Sequence, residues 1–107
     1  MTPSPEPLLR ALADPTRRAI FEALCREGEQ TVGALTARAG VSQPAVSKHL
    51  AVLREAGLAE LRAEGRVTRC RARPEALAPL LDWTSDMIGF WQARLDALDD
   101  LLNRMDQ

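Results

Sequence analysis

One histidine, two cysteines and no long apolar run set the first limits on this 107-residue chain. No stretch approaches the roughly 20 consecutive apolar residues that a membrane-spanning helix needs, so no membrane partner is expected. The opening MTPSPEPLLRALADPTRR has no basic segment followed by an apolar one, and a secretory signal is not expected either. Cys25 and Cys70 are too few for a disulfide-built secreted scaffold, which points to reduced thiols in a cytoplasmic setting. The lone His49 serves no evident nucleophile. With no Gly-rich phosphate loop, no His/Cys cluster and no carboxylate pair recognisable by spacing, neither catalysis nor a bound cofactor is expected.

The composition is that of an ordinary globular domain, 46% hydrophobic and 27% charged. At this length it supports one domain, residues 1–107, around one small core. The net charge of −1 conceals a partition. Residues 1–41 balance five basic groups against five acidic ones. Residues 42–73 carry seven basic and three acidic groups, and residues 74–107 carry two basic and seven acidic. Five arginines (62, 66, 69, 71 and 73) make one local surface suited to a polyanion, and the acidic tail confines it there.

Punctuation along the chain predicts the elements. Residues 1–7, with three prolines, read as a loose arm. Leu8, Leu9 and Leu12 mark a short helix. Asp14-Pro15 then reads as an N-cap with proline in the first helical position, and that helix stops at Gly28. Thr31 caps a third helix closed by Gly40, and Ser42 caps a fourth, with Pro44 in its tolerant first turn. Val46, Leu50, Leu53 and Gly57 form one narrow stripe on this fourth helix, leaving Pro44, Ser47, Lys48 and Ala51 on the other side. After Gly57 the period shortens: residues 58–63 and 67–72 read as two strands joined at Glu64-Gly65-Arg66. Pro74 opens a terminal helix of about thirty residues. The expected fold is mainly α with a small β-hairpin, in the order α-α-α-α-β-β-α: a helix-turn-helix (31–56), a wing (58–73) and a terminal helix (74–105).

ALADPTRRAIFEALCREGE, TVGALTARAGVSQPAVSKHLAVLREAGL and EGRVTRCRA resemble the ArsR-type winged helix-turn-helix repressors of bacteria over roughly residues 8–73. That resemblance implies a homodimer that binds double-stranded operator DNA and represses transcription until an inducer releases it. Carried over by position, the recognition helix runs from Ser42 to Glu55. Ser42, Gln43, Pro44, Ala45, Ser47, Lys48 and His49 then lie in or beside the major groove. The wing falls on Gly65 and Arg66, flanked by Arg62 and Arg69. Side-chain chemistry agrees: Gln pairs with adenine edges, Ser with several bases, and Lys and Arg neutralise phosphates. Thr31 and Ser42, at helix N-termini, also suit phosphate. His49 is read either as a structural histidine or as a DNA contact, and Arg17 and Arg18 either as phosphate contacts or as solvated groups.

The sequence departs from the family at its metal sites. The thiolate segment ELCVCDL corresponds here to EQTVGAL, with Thr31 and Gly33 in place of the cysteines, and residues 74–107 hold neither histidine nor cysteine. No metal is expected. The alternative is an arsenite- or redox-responsive site built on Cys25 and Cys70, both of which the pattern turns towards the core.

The tail LLDWTSDMIGFWQARLDALDDLL, with Leu77 just before it, keeps one stripe at alternating four and three: Leu77, Leu81, Thr84, Ile88, Trp91, Leu95, Leu98 and Leu102. That stripe exceeds what one small domain covers, although part of it is expected to fold back. A dimer is predicted with Leu8, Leu9 and Leu12 of the first helix and Leu81, Ile88, Trp91, Leu95 and Leu98 of the last at its centre. A winged-helix protein-interaction module without DNA binding is the alternative from a different class.

Overall fold

Local signals place the helix boundaries. In the computed structural model, which describes residues 3–106, α1 spans Glu6–Ala13 and α2 Pro15–Glu27. Asp14 serves both: it ends α1 in extended backbone and caps α2, its Oδ1 accepting from the Arg17 N–H at 2.9 Å. That hydrogen bond, the largest cause, holds the Asp14 carboxyl below the usual carboxylate range. The loose arm expected over residues 1–7 is shorter than predicted. Its residues 1 and 2, like residue 107 at the far end of the expected domain, lie outside the described residues. Helix α1 opens at Glu6, because Pro7 falls in the first turn, where a missing N–H leaves no carbonyl unpaired.

A two-residue strand, β1 (Gln30–Thr31), follows, then α3 (Val32–Ala39) and α4 (Gln43–Glu55). The helix-turn-helix corner turns on Gly40, which ends α3 in left-handed backbone at φ 69°. Strands β2 (Ala59–Glu64) and β3 (Val67–Ala72) form the hairpin, and the sheet order is β1-β3-β2, antiparallel throughout. The winged helix-turn-helix order stands, with one strand more than the hairpin predicted. Two residues carry no readable alternation, so β1 is recognisable only by its partners, Cys70 opposite Gln30 and Arg69 opposite Thr31.

The core lies between the sheet and α1–α4. Val46, Leu50 and Leu53 of α4, Leu58, and Cys70 of β3 are fully buried, packed with Leu24 and Leu35. Cys70 sits in the middle strand between Gln30 and Leu61 and behaves as a small apolar side chain. Cys25 differs from its predicted orientation: it is exposed, since the step of about 100° from buried Leu24 turns it off the core face of α2.

The terminal helix departs further. Pro74–Leu77 is a 3-10 turn, and α5 runs from Ala78 to Met105. Leu77 and Leu80 pack on the core, but no residue of α5 is buried, and from Leu81 to Asp106 every side chain is exposed. The expected folding back therefore ends at Leu80. A radius of gyration of 19.9 Å, against about 13 Å for a compact chain of this length, measures how far the helix projects.

Candidate nucleic-acid interface

Helix α4, the second of the helix-turn-helix and the one expected to enter the major groove, has two faces. Val46, Leu50 and Leu53 anchor one side, each removing an aliphatic side chain from water at a gain of about 1.5–3 kcal/mol. This anchoring fixes the opposite side, where Ser42, Gln43, Pro44, Ser47 and Lys48 are exposed. Ser42 Oγ accepts from the Ala45 N–H at 3.3 Å, which starts the helix and sets the direction of Gln43. Ala45 and His49 lie half-buried on the flank towards the core.

The other flank of α4 meets the wing. A cleft of about 260 Å³ is lined by Gln43 and Ser47 of α4, Thr31, Val32 and Gly33 at the start of α3, and Arg66, Val67 and Thr68 of the wing. Four residues proposed from sequence, Thr31, Gln43, Ser47 and Arg66, thus share one cleft. Thr31 Oγ1 accepts from the Ala34 N–H at 3.1 Å and keeps its own proton to donate. Val32, Gly33, Val67 and Thr68 were not among the proposed residues. Their membership comes from the packing of the wing beside α3, which only the unrecognised β1 pairing would have revealed.

Gly65, at φ 61°, lets the hairpin turn tightly between Glu64 and Val67. Arg66 sits at that turn, exposed and in no ion pair among the described residues. The flanking arginines are engaged. Arg62 and Arg69 face each other across the ladder, and both reach Glu64 Oε2, at 3.4 and 3.1 Å. Arg62 also pairs with Glu29 at 3.3 Å. Farther down the hairpin, Arg71 pairs with Glu60 at 2.7 Å, which lowers the Glu60 carboxyl and raises the Arg71 guanidinium, and Arg73 pairs with Glu75. Arg17 and Arg18 are not merely solvated. Arg17 donates from Nε to the Ala11 carbonyl and from Nη2 to that of Arg10, and Arg18 donates to the Leu12 carbonyl at 2.8 Å, so the pair closes the end of α1.

The thiols are poorly placed for sensing. Burial, with Glu29 adding to it, pushes the Cys70 thiol up to about 11, and the partial desolvation left to exposed Cys25, with Glu22 beside it, raises that thiol too. Both shifts oppose the thiolate that a metal or oxidant needs. Among the described residues no group of three His, Cys, Asp or Glu side chains is arranged to hold a metal ion.

The residues proposed for a dimer divide into two groups. Leu8 is buried within its own domain and Leu12 is half-buried against the core, so they brace α1 from behind. Leu9 is exposed, and so are Leu81, Ile88, Trp91, Leu95 and Leu98. Trp83, Met87, Phe90, Leu101 and Met105 are exposed as well, which widens the apolar face of α5 well beyond the stripe seen in sequence. No helix is long and apolar enough to cross a membrane among the described residues.

A family model described as a helix-turn-helix domain matches residues 12–62. The chain is 40% identical over 100 residues to the HTH-type transcriptional regulator Rv2034 of Mycobacterium tuberculosis, covering 94% of this chain and 90% of that protein. It is 42% identical over 72 residues to the arsenic resistance transcriptional regulator ArsR1 of Pseudomonas putida, covering 67% of this chain and only 56% of that protein. An ArsR-like transcriptional regulator from Rhodococcus sp. RHA1 superposes with a TM-score of 0.75 at 31% identity, covering 90% of both chains. A homodimeric winged helix-turn-helix DNA-binding domain from Mycobacterium bovis superposes with a TM-score of 0.62 at 28% identity, covering 78% of this chain and 77% of that one.

Proposed function

This chain belongs to the ArsR family of winged helix-turn-helix transcriptional repressors, and from that premise we propose that it acts as a homodimer on an imperfect DNA palindrome, repressing by occupying the promoter. The observation that carries the proposal is the shared cleft, in which the recognition helix and wing tip present Gln43, Ser47, Thr31 and Arg66 together. Gln43 and Ser47 read base edges from the major groove; Lys48 and Arg66 hold the phosphates that fix the register. Two copies related by a two-fold axis place their recognition helices about one DNA turn apart, roughly 34 Å, and the operator mirrors that symmetry. The exposed apolar face of α5 supports the dimer, as does the homodimeric state named for the Mycobacterium bovis domain. The inducer that relieves repression is not a thiolate-bound metal at the start of α3, where Thr31 and Gly33 stand.

The test is fluorescence anisotropy with the DNA upstream of the chain's own gene, as a salt series. Tight, steeply salt-dependent binding is expected. Arg66→Ala should weaken binding to all sequences alike and flatten the slope of log K against log salt by about 0.9, the loss of one phosphate contact. A change of sequence preference with an unchanged slope would place Arg66 on a base edge instead. No binding above background would favour the protein-interaction module.

A further inference from the structure

Of the five arginines between residues 62 and 73, four are held by carboxylates, and one carboxylate holds two of them. Glu64, the last residue of β2, lies one position before the turn glycine. Its Oε2 reaches Arg62 Nη2 at 3.4 Å and Arg69 Nε at 3.1 Å. These are the two arginines that flank the wing tip, directly opposite each other in the ladder. Side by side without a counter-charge, they would repel, and Glu64 removes that repulsion. The same contact occupies guanidinium donors that would otherwise meet phosphate. All three side chains remain partly exposed, between 37% and 55%, so the pairs are screened, and phosphate has to compete with Glu64 for each guanidinium.

We propose that Glu64 is a specificity-determining residue of the wing: by holding Arg62 and Arg69 it suppresses sequence-independent binding to phosphate and leaves Arg66 as the standing contact. Phosphate contacts fix position and carry no sequence information, so each one silenced raises the ratio of operator to random-DNA affinity. Glu29, the second partner of Arg62, ties one side of this clamp to the loop before β1. Glu60 makes the control. Four positions before Glu64 on β2, it pairs with Arg71, and its neutralisation frees no arginine beside the turn. This inference rests on the DNA-binding role proposed above.

The experiment measures anisotropy on operator and random-sequence duplexes over a salt series for the parent, Glu64→Gln, Glu60→Gln, Arg62→Ala/Arg69→Ala, and that double variant carrying Glu64→Gln. Glu64→Gln is expected to tighten random-DNA binding about tenfold or more at low salt and to steepen the salt slope by about one to two units, one phosphate for each arginine released. Operator binding should tighten less, so discrimination falls. Glu60→Gln should leave the slope within about half a unit of the parent's, less than one phosphate contact. Adding Glu64→Gln to the double variant should change nothing further. If that addition tightens binding as much as it does in the parent, Glu64 acts by direct repulsion of DNA and the clamp is refuted. An unchanged slope in Glu64→Gln, with the parent binding steeply, overturns the clamp and leaves the DNA-binding role intact. A parent that fails to bind either duplex overturns both.

Discussion

Residues 8–80 and residues 81–106 obey opposite rules, though both are rich in leucine. The first region buries its apolar side chains against one another: Leu24, Leu50, Leu53 and Leu58 have no appreciable contact with water. The second buries none, and Leu81, Ile88 and Trp91 are each more than 60% exposed. Apolar content alone therefore does not distinguish a core from a contact surface. What separates them is whether the chain folds another layer over the side chains. The sheet and four helices close around α4, whereas α5 leaves the domain after Leu80 and continues alone for a further seven turns or so at 3.6 residues per turn. A bare apolar face of that length marks a contact surface, and the second copy proposed above is the partner that would cover it.

The sharpest way to break this contrast is to cut one leucine from the closed region. Leu50→Ala should cost about 2–5 kcal/mol of folding stability, the range for a buried leucine leaving a cavity, and lower the urea midpoint without altering the slope of the transition. A loss under about 1 kcal/mol, typical of a surface site, would mean that α4 is not anchored as described. The matching cut in the open region is Trp91→Ala. It should raise the dimer dissociation constant at least tenfold, about 1.4 kcal/mol, in sedimentation velocity, as expected for an aromatic at an interface. A fully dimeric variant at low micromolar concentration would move the contact to another face.

A smaller effect concerns the buried thiol. Burial raises the Cys70 thiol from an ordinary 9.0 to about 11, so the folded state keeps a proton that the unfolded state releases. Its contribution to stability is complete below pH 9 and is lost as pH rises to about 11. Relative to Cys70→Ala, the parent should lose stability across that window with a slope of one proton per chain unfolded. Parallel stability curves for the two would show that Cys70 ionises freely in the folded protein.

Much of the helix-turn-helix could be read directly, because its signals are local. Asp14, Thr31 and Ser42 cap their helices through hydrogen bonds that span three residues, and Gly40 and Gly65 take the backbone signs their turns require. The anchoring stripe Val46, Leu50 and Leu53 follows from helical period alone, and with it the exposure of Gln43, Ser47 and Lys48. Contacts between distant segments were not legible. Two residues of β1 hold no period, yet their pairing with β3 brings Thr31 beside the wing and completes the cleft with Arg66. The sequence showed five arginines as one basic patch; the fold divided them, clamping Arg62 and Arg69 on Glu64, tying Arg71 to Glu60 and Arg73 to Glu75, and leaving Arg66 without a carboxylate among the described residues. Charge composition is additive along a chain, but ion pairing depends on which side chains the ladder sets opposite one another. By itself the sequence determined the helices, their caps, the hairpin turn and the family. Only the tertiary structure decided which apolar face stays open and which arginines remain free, because both depend on residues far apart in the chain.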